Sequence, residues 1–201
     1  MQMVTLLQVK IILNLEIMNR WERAQISERR KHTFEFQEGY LHYLRSYVTY
    51  FSYLQIDLNI KGNKIAEIGP ADYPGLSYCF NTQNCVAIEP MPSIILSTSG
   101  INVVRCKAED FDFSDYDEVW IMNVLQHVED PGKIVEKAKQ AKCVKFFEPI
   151  NFGTDECHLH NLTMEMFKDW FGDVKYYPKN ENAVAFHTWE CAYGIWLRLD
   201  N

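Results

Sequence analysis

Three stretches decide the fold. The chain reads Lys64-Ile65-Ala66-Glu67-Ile68-Gly69-Pro70-Ala71-Asp72-Tyr73, then Cys85-Val86-Ala87-Ile88-Glu89-Pro90, and later Glu118-Val119-Trp120-Ile121-Met122-Asn123-Val124-Leu125-Gln126-His127-Val128-Glu129-Asp130-Pro131. Each is a short apolar run that stops at a polar residue or a glycine, the pattern of a strand buried on both faces. Working outward, Ile101–Val104 and Cys143–Phe147 are runs of the same kind. Gly75–Phe80, Pro92–Ser97, Gly132–Ala141 and Thr163–Trp170 are the helical stretches between or after them. Repeated βα units of this length predict a parallel sheet with helices on both faces. Val174–Tyr177 and Ala192–Leu199 follow with no helix between them, so an antiparallel hairpin is expected to close the sheet. The expected fold is a three-layer α/β domain with a mostly parallel, seven-stranded sheet, an antiparallel final strand and a helical N-terminal extension.

In an open parallel sheet, ligands bind outside the carboxyl ends of the strands, near the point where strand order reverses. Glu67, Gly69 and Ala71 end the first strand, Glu89 and Pro90 the second, Ala108 and Glu109 follow the third, and Asn123 ends the fourth. An acid at Glu89 is placed to accept hydrogen bonds from a ribose diol. His127 follows the fourth strand and reads either as a pocket residue or as a hydrogen-bonded structural group. The segment 148–161 is long for a strand-to-helix connection and carries Gly153, Asp155, His158 and His160. His158 and His160 are two apart, which puts both on one side of an extended backbone, where a neutral imidazole can take a proton near pH 7. Cys157 beside them hints at a metal, but no second ligand pair with recognised spacing occurs, so none is expected. Thr163 reads as the N-cap of the next helix, with Glu165 favourable in its first turn.

This series of motifs resembles the class I S-adenosylmethionine-dependent methyltransferases over about residues 60–200. Glu67 and Gly69 match the start of the family's E-x-G-x-G-x-G loop, with Ala71 and Tyr73 in place of later glycines. Glu89 matches the ribose-binding acid. Cys106-Lys107-Ala108-Glu109-Asp110-Phe111-Asp112-Phe113 parallels G-D-A-E-x-L-P-F, and Val124–Pro131 parallels V-L-x-H-V-x-D-P. His158-Leu159-His160-Asn161-Leu162-Thr163 is similar to H-L-H-x-x-T. The resemblance implies transfer of a methyl group from S-adenosylmethionine to a small-molecule acceptor, by O- or N-methylation, with the protein supplying mainly positioning and desolvation. It implies Glu67, Gly69, Ala71, Glu89, Pro90, Ala108, Glu109 and Asn123 as cofactor-binding residues. His158, His160 and His127 are the catalytic candidates on the acceptor side. A domain of this fold that binds without turnover is the alternative.

The departures carry expectations of their own. A Cβ at Ala71 is comfortable only at negative φ, so the loop is expected to differ in detail there. Lys107 stands where an acid commonly faces the adenine amino group and cannot accept its hydrogen bond, which leaves Glu109, Asp110 or backbone groups to do so. Gly69–Pro74 lacks the Gly-x-Gly-x-x-Gly of a dinucleotide-binding dehydrogenase. No Asn/Asp-Pro-Pro-Tyr follows the fourth strand, where amino-methylating nucleic-acid enzymes of this fold carry it.

The remaining features set bounds. The chain has 201 residues, 47% apolar and 23% charged, the size and mixture of one globular domain. Its net charge of −7 disfavours broad nucleic-acid binding. No apolar run reaches the ~20 residues of a membrane span, and the start is a poor signal peptide. The six cysteines read as buried reduced thiols of a cytoplasmic protein. Residues 1–17 alternate apolar and polar side chains, suggesting a half-buried strand, with an amphipathic helix as rival; such a strand invites pairing with a second copy. Arg29-Arg30-Lys31-His32 reads as a solvated helix face or an anion site. Tyr40, Tyr43, Tyr47 and Tyr50 form a stripe that packs a core or walls a pocket. Residues 1–59 are thus expected to be an extension with helices, serving as a substrate-side lid, and 60–201 the methyltransferase domain.

Overall fold

The structure is a computed structural model and describes residues 19–34, 36–179 and 189–199. The expectations for residues 1–17, and for the side chains of Arg29-Arg30-Lys31-His32 and Tyr40, lie outside the described residues. Two helices come first, α1 (Arg20–Phe34) and α2 (Phe36–Tyr53). The sheet strands are β1 (Ile65–Ile68), β2 (Val86–Ile88), β3 (Asn102–Val104), β4 (Glu118–Met122), β5 (Cys143–Pro149), β6 (Lys175–Tyr177) and β7 (Cys191–Leu197). Their order is β3-β2-β1-β4-β5-β7-β6. The first five are parallel neighbours, and β7 runs antiparallel between β5 and β6. The expected mostly parallel, seven-stranded α/β sheet is present.

The crossovers are shorter than the sequence suggests. The connection after β1 carries only a 3₁₀ turn at Gly75–Tyr78, and α3 (Ile94–Ser97) is one turn long. Full helices return at α4 (Pro131–Ala138) and α5 (Met164–Phe171). Asp130 caps α4 by accepting from Lys133 N at 3.0 Å, with Pro131 preorganised at the first helical position. Thr163 caps α5 as expected, its hydroxyl accepting from Met166 N.

Alternation along the strands divides the core into two layers. Ala66, Ile68, Val119, Ile121, Val144 and Phe146 face α4 and α5, meeting Ile134, Val135, Phe167 and Phe171. Ile65, Trp120, Met122 and Phe147 face the other way, against Tyr47, Tyr50, Phe51 and Leu54 of α2. Two members of the tyrosine stripe, Tyr47 and Tyr50, therefore pack core, and α2 does the covering work that the short β1 crossover cannot. Lys145 is tolerated within the wholly buried β5 because its Nζ lies 2.9 Å from Glu118 Oε2, which also accepts from Trp120 Nε1. All six cysteines are free thiols; Cys79 and Cys106 are only half-buried, against the expectation of full burial. No described helix is long and apolar enough to cross a membrane.

Candidate active site

Strand order reverses between β1 and β4, and the crevice above their carboxyl ends is built from both loops. Gly69 has φ +58°, and a Cβ there would lie 2.2 Å from Val124 Cγ2. Only glycine lets the β1 and β4 loops approach so closely. Its N–H donates to Ile88 O at 2.9 Å. Ala71 has φ +54°, contrary to the expectation of a negative value. The loop thus keeps the left-handed turn of a glycine and carries it on an alanine, at a cost of about 1–2 kcal/mol. Asn123 is also left-handed, at φ +56°, a conformation asparagine tolerates better than most residues.

Glu67 lies beneath this loop. Its carboxylate accepts from Gly75 N at 2.8 Å, Leu76 N at 3.0 Å and Tyr47 Oη at 2.8 Å. Burial pushes its carboxyl up from the ordinary value, and these three bonds oppose that shift. Glu67 therefore holds the loop's backbone and anchors α2. Glu89 closes β2, nearly buried; its Oε1 accepts from Met91 N at 2.9 Å, and its N–H donates to Val104 O. Pro90 follows it, half-buried. Ala108 is buried in a short 3₁₀ turn. Glu109 accepts from Asp130 N at 3.2 Å, which ties this turn to the start of α4.

Lys107 turns to Glu129, with Nζ 2.6 Å from Oε2, and sits 4.2 Å from the centre of the Trp21 ring of α1. The hydrogen bond to Glu129 holds its ammonium above the usual lysine range. Gln25, one helical turn beyond Trp21, donates through Nε2 to His127 O at 3.0 Å. Helix α1 thus crosses from the β3 loop to the β4 loop along the carboxyl edge. Tyr43 of α2 packs on Tyr73 in the β1 loop, ring centres 5.3 Å apart.

The acceptor-side candidates come together where the β4 and β5 loops meet. His127 Nδ1 lies 3.1 Å from Cys157 O, and its Nε2 lies 3.1 Å from Gln126 Nε2. A carbonyl only accepts, so Nδ1 carries the proton, and Nε2 accepts from the glutamine amide. Both nitrogens are committed to structure. His160 Nε2 lies 2.9 Å from Val128 O, so it too bridges the two loops. His158 differs. Its Nδ1 lies 2.8 Å from Asp155 Oδ2, and its Nε2 makes no hydrogen bond to a described residue. Burial alone raises the Asp155 carboxyl, but bonds from His158 and Cys157 overcome it and hold the group well below the usual carboxylate range. No three metal-ligating side chains converge among the described residues.

The sequence did not single out Glu148 or Gln126. Glu148, wholly buried at the end of β5, accepts from Val124 N at 2.9 Å and Leu125 N at 3.0 Å, and burial pushes its carboxyl up to about 8. An acid directly after the apolar Phe146-Phe147 pair, near the carboxyl end of β5, was the available signal. Gln126 is 2% exposed; its Nε2 also donates to Asn123 Oδ1 at 2.9 Å, and its Oε1 is buried without a partner.

This sheet order, with a β1–β4 crevice rimmed by a left-handed loop and an acid ending β2, defines the class I methyltransferase fold. Solved structures share it. A Thermotoga maritima protein described as an S-adenosylmethionine-dependent methyltransferase, possible histamine N-methyltransferase, is 13% identical with a TM-score of 0.57, over 90% of this chain and 94% of its own. The plantazolicin methyltransferase BpumL, in complex with SAH, is 18% identical with a TM-score of 0.52, over 83% and 80%. A Haemonchus contortus phosphoethanolamine N-methyltransferase 2, in complex with phosphomonomethylethanolamine and S-adenosylhomocysteine, is 13% identical with a TM-score of 0.52; 65% of this chain aligns with 37% of that enzyme. No family model and no curated protein matches the sequence. The likeness is one of fold.

Proposed function

We propose that this chain transfers a methyl group from S-adenosylmethionine to a small-molecule acceptor. The observation that carries this is the left-handed backbone at both Gly69 and Ala71, at the switch point and beside the Glu89 carboxylate. Keeping a glycine turn on an alanine costs stability, and a turn kept at a cost indicates use. The residues fit the cofactor: glycine at 69 lets Val124 of the β4 loop close against the β1 loop and form the crevice, and Glu89 is placed to accept from a ribose diol. Ala71, Pro90, Ala108 and Asn123 complete the rim, with Glu67 and Glu109 bracing it from behind. The reported complexes of similarly folded proteins with SAH or S-adenosylhomocysteine support this choice.

When bound, the cofactor supplies a methyl group activated by its sulfonium, and transfer leaves a neutral thioether. The chain's own residues position the acceptor and manage its proton. His158, oriented through Nδ1 by Asp155, presents Nε2 as the general base. His127 and His160 hold the β4 and β5 loops in register. Helices α1 and α2, within the 1–59 extension, close the site as a lid through Trp21, Gln25 and Tyr43.

Titration with S-adenosylhomocysteine tests the cofactor assignment. Ligand at a hundredfold its dissociation constant adds about 2.7 kcal/mol, a melting rise of roughly 5–10 °C for a chain of this size. Glu89→Ala abolishes most of that rise. No rise and no calorimetric heat at millimolar ligand would refute the cofactor.

A further inference from the structure

We infer, on the footing of the methyl-transfer function proposed above, that the acceptor is a primary or secondary amine, bound as its ammonium ion with one N–H on Gln126 Oε1. The orientation of Gln126 follows from its neighbours. Cys157 O requires a proton on His127 Nδ1, so His127 Nε2 accepts, and the glutamine atom 3.1 Å from it is the amide nitrogen. Asn123 Oδ1, accepting at 2.9 Å, agrees. The amide oxygen is then a buried acceptor with no donor, in a side chain 2% exposed. A buried acceptor left without a donor is costly, and an N–H from the bound acceptor removes that cost.

Charge and ring placement select a cation. Residues 119–132 and 146–167, which carry the β4 and β5 loops, contain no Lys or Arg, but they contain the acids Glu129, Asp130, Asp155, Glu156 and Glu165 besides the buried Glu148, whose raised carboxyl keeps its proton. Lys107 at the rim is paired with Glu129. A carboxylate or phosphate brought beside Asp155 would meet repulsion with no counter-ion. The rings form a chain from Trp189, just before β7, through these loops: Trp189 to Phe152 at 4.3 Å, Phe152 to His158 at 4.5 Å, His158 to His127 at 4.8 Å. Such π faces attract an ammonium and are indifferent to an alcohol. An ammonium has no lone pair, so one N–H bond must break first. Its proton passes to His158 Nε2, the bonding pair stays on nitrogen as the nucleophile, and His158 releases the proton to water afterwards.

The test uses the full chain saturated with S-adenosylhomocysteine, titrated calorimetrically with butylamine, 1-butanol and butanoate, and with 2-phenylethylamine, 2-phenylethanol and 3-phenylpropanoate. At least one amine is expected to bind tenfold or more tightly than its matched alcohol, with the carboxylate silent. Gln126→Met is expected to erase that preference. Should this variant not fold, Phe152→Leu is expected to weaken amine binding at least threefold while S-adenosylhomocysteine affinity holds. Equal binding of alcohol and amine, carboxylate binding, no amine binding in either series, or amine binding indifferent to the variants overturns the assignment. Failure of S-adenosylhomocysteine to bind at the outset overturns the methyl-transfer function instead, and the amine assignment with it.

Discussion

Tyr47 of α2 donates its hydroxyl proton to Glu67 Oε1 at 2.8 Å, the same oxygen that accepts from Gly75 N. One buried carboxylate thereby joins the N-terminal helices to the loop that forms the crevice, and the two regions are coupled through a single group. Tyr47→Phe keeps the ring contacts with Tyr50, Phe51 and Tyr78 and removes only the donor. It is expected to cost about 1–3 kcal/mol, seen as a lower melting temperature, together with weaker S-adenosylhomocysteine binding. An unchanged melt would show that the bond contributes nothing.

Ala71→Gly relieves the left-handed strain of about 1–2 kcal/mol but adds unfolded-state freedom worth about 0.5–1 kcal/mol. The expected result is a melting rise of a few degrees. Gly69→Ala does the reverse, since its Cβ would strike Val124, and should abolish cofactor binding. A fall in melting temperature for Ala71→Gly would contradict the loop geometry.

Stability should decline as pH rises from about 5 to 8. Glu148 is held at about 8 in the folded chain against 4.5 ordinarily, so within that window the folded state binds a proton that the unfolded state lacks. One such proton gives a slope of roughly 1 kcal/mol per pH unit; Glu67, also raised by burial, acts with the same sign. The lowered Asp117 and Asp155 carboxyls act oppositely, below the ordinary carboxylate range. Urea unfolding across this window should show a flatter profile for Glu148→Gln. Identical profiles for the two proteins would exclude Glu148 as the source.

Helix α1 meets the crevice through Trp21 and Gln25, and its Ala24 is buried. A Trp21→Ala, Gln25→Ala double variant should therefore release S-adenosylhomocysteine about tenfold faster, for a loss near 1.4 kcal/mol, with a change in melting of the free protein within about 4 °C. Unchanged release by stopped flow would remove α1 from the role of lid.

Once an acceptor is in hand, His158→Ala should lower kcat roughly a hundredfold and leave S-adenosylhomocysteine affinity intact. Asp155→Asn should shift the pH profile of turnover, because the imidazole loses the group facing Nδ1. His160→Ala should act mainly on stability, through the lost bond to Val128 O. Normal turnover in His158→Ala would leave deprotonation to water.

What the sequence alone determined was the sheet. Buried parallel strands need mostly apolar runs, and runs such as Glu118–Met122 and Cys143–Phe147 occur in βα order; the first coincides with β4, the second starts with β5 and falls two residues short of its end. The strand-end positions of Gly69, Glu89 and Asn123 followed from the same local rule. The tertiary structure alone decided which partner each side chain found. Ala71 takes a left-handed turn, and no residue beside it in the sequence signals that conformation. Three histidines look equivalent in sequence, yet His127 and His160 are held by carbonyls 30 and 32 residues away while His158 faces Asp155. Tyr47 meets Glu67 across 20 residues, and Gln25 meets His127 across 102. Hydrogen bonds over such separations depend on how the chain returns through space, and local periodicity carries no record of that path.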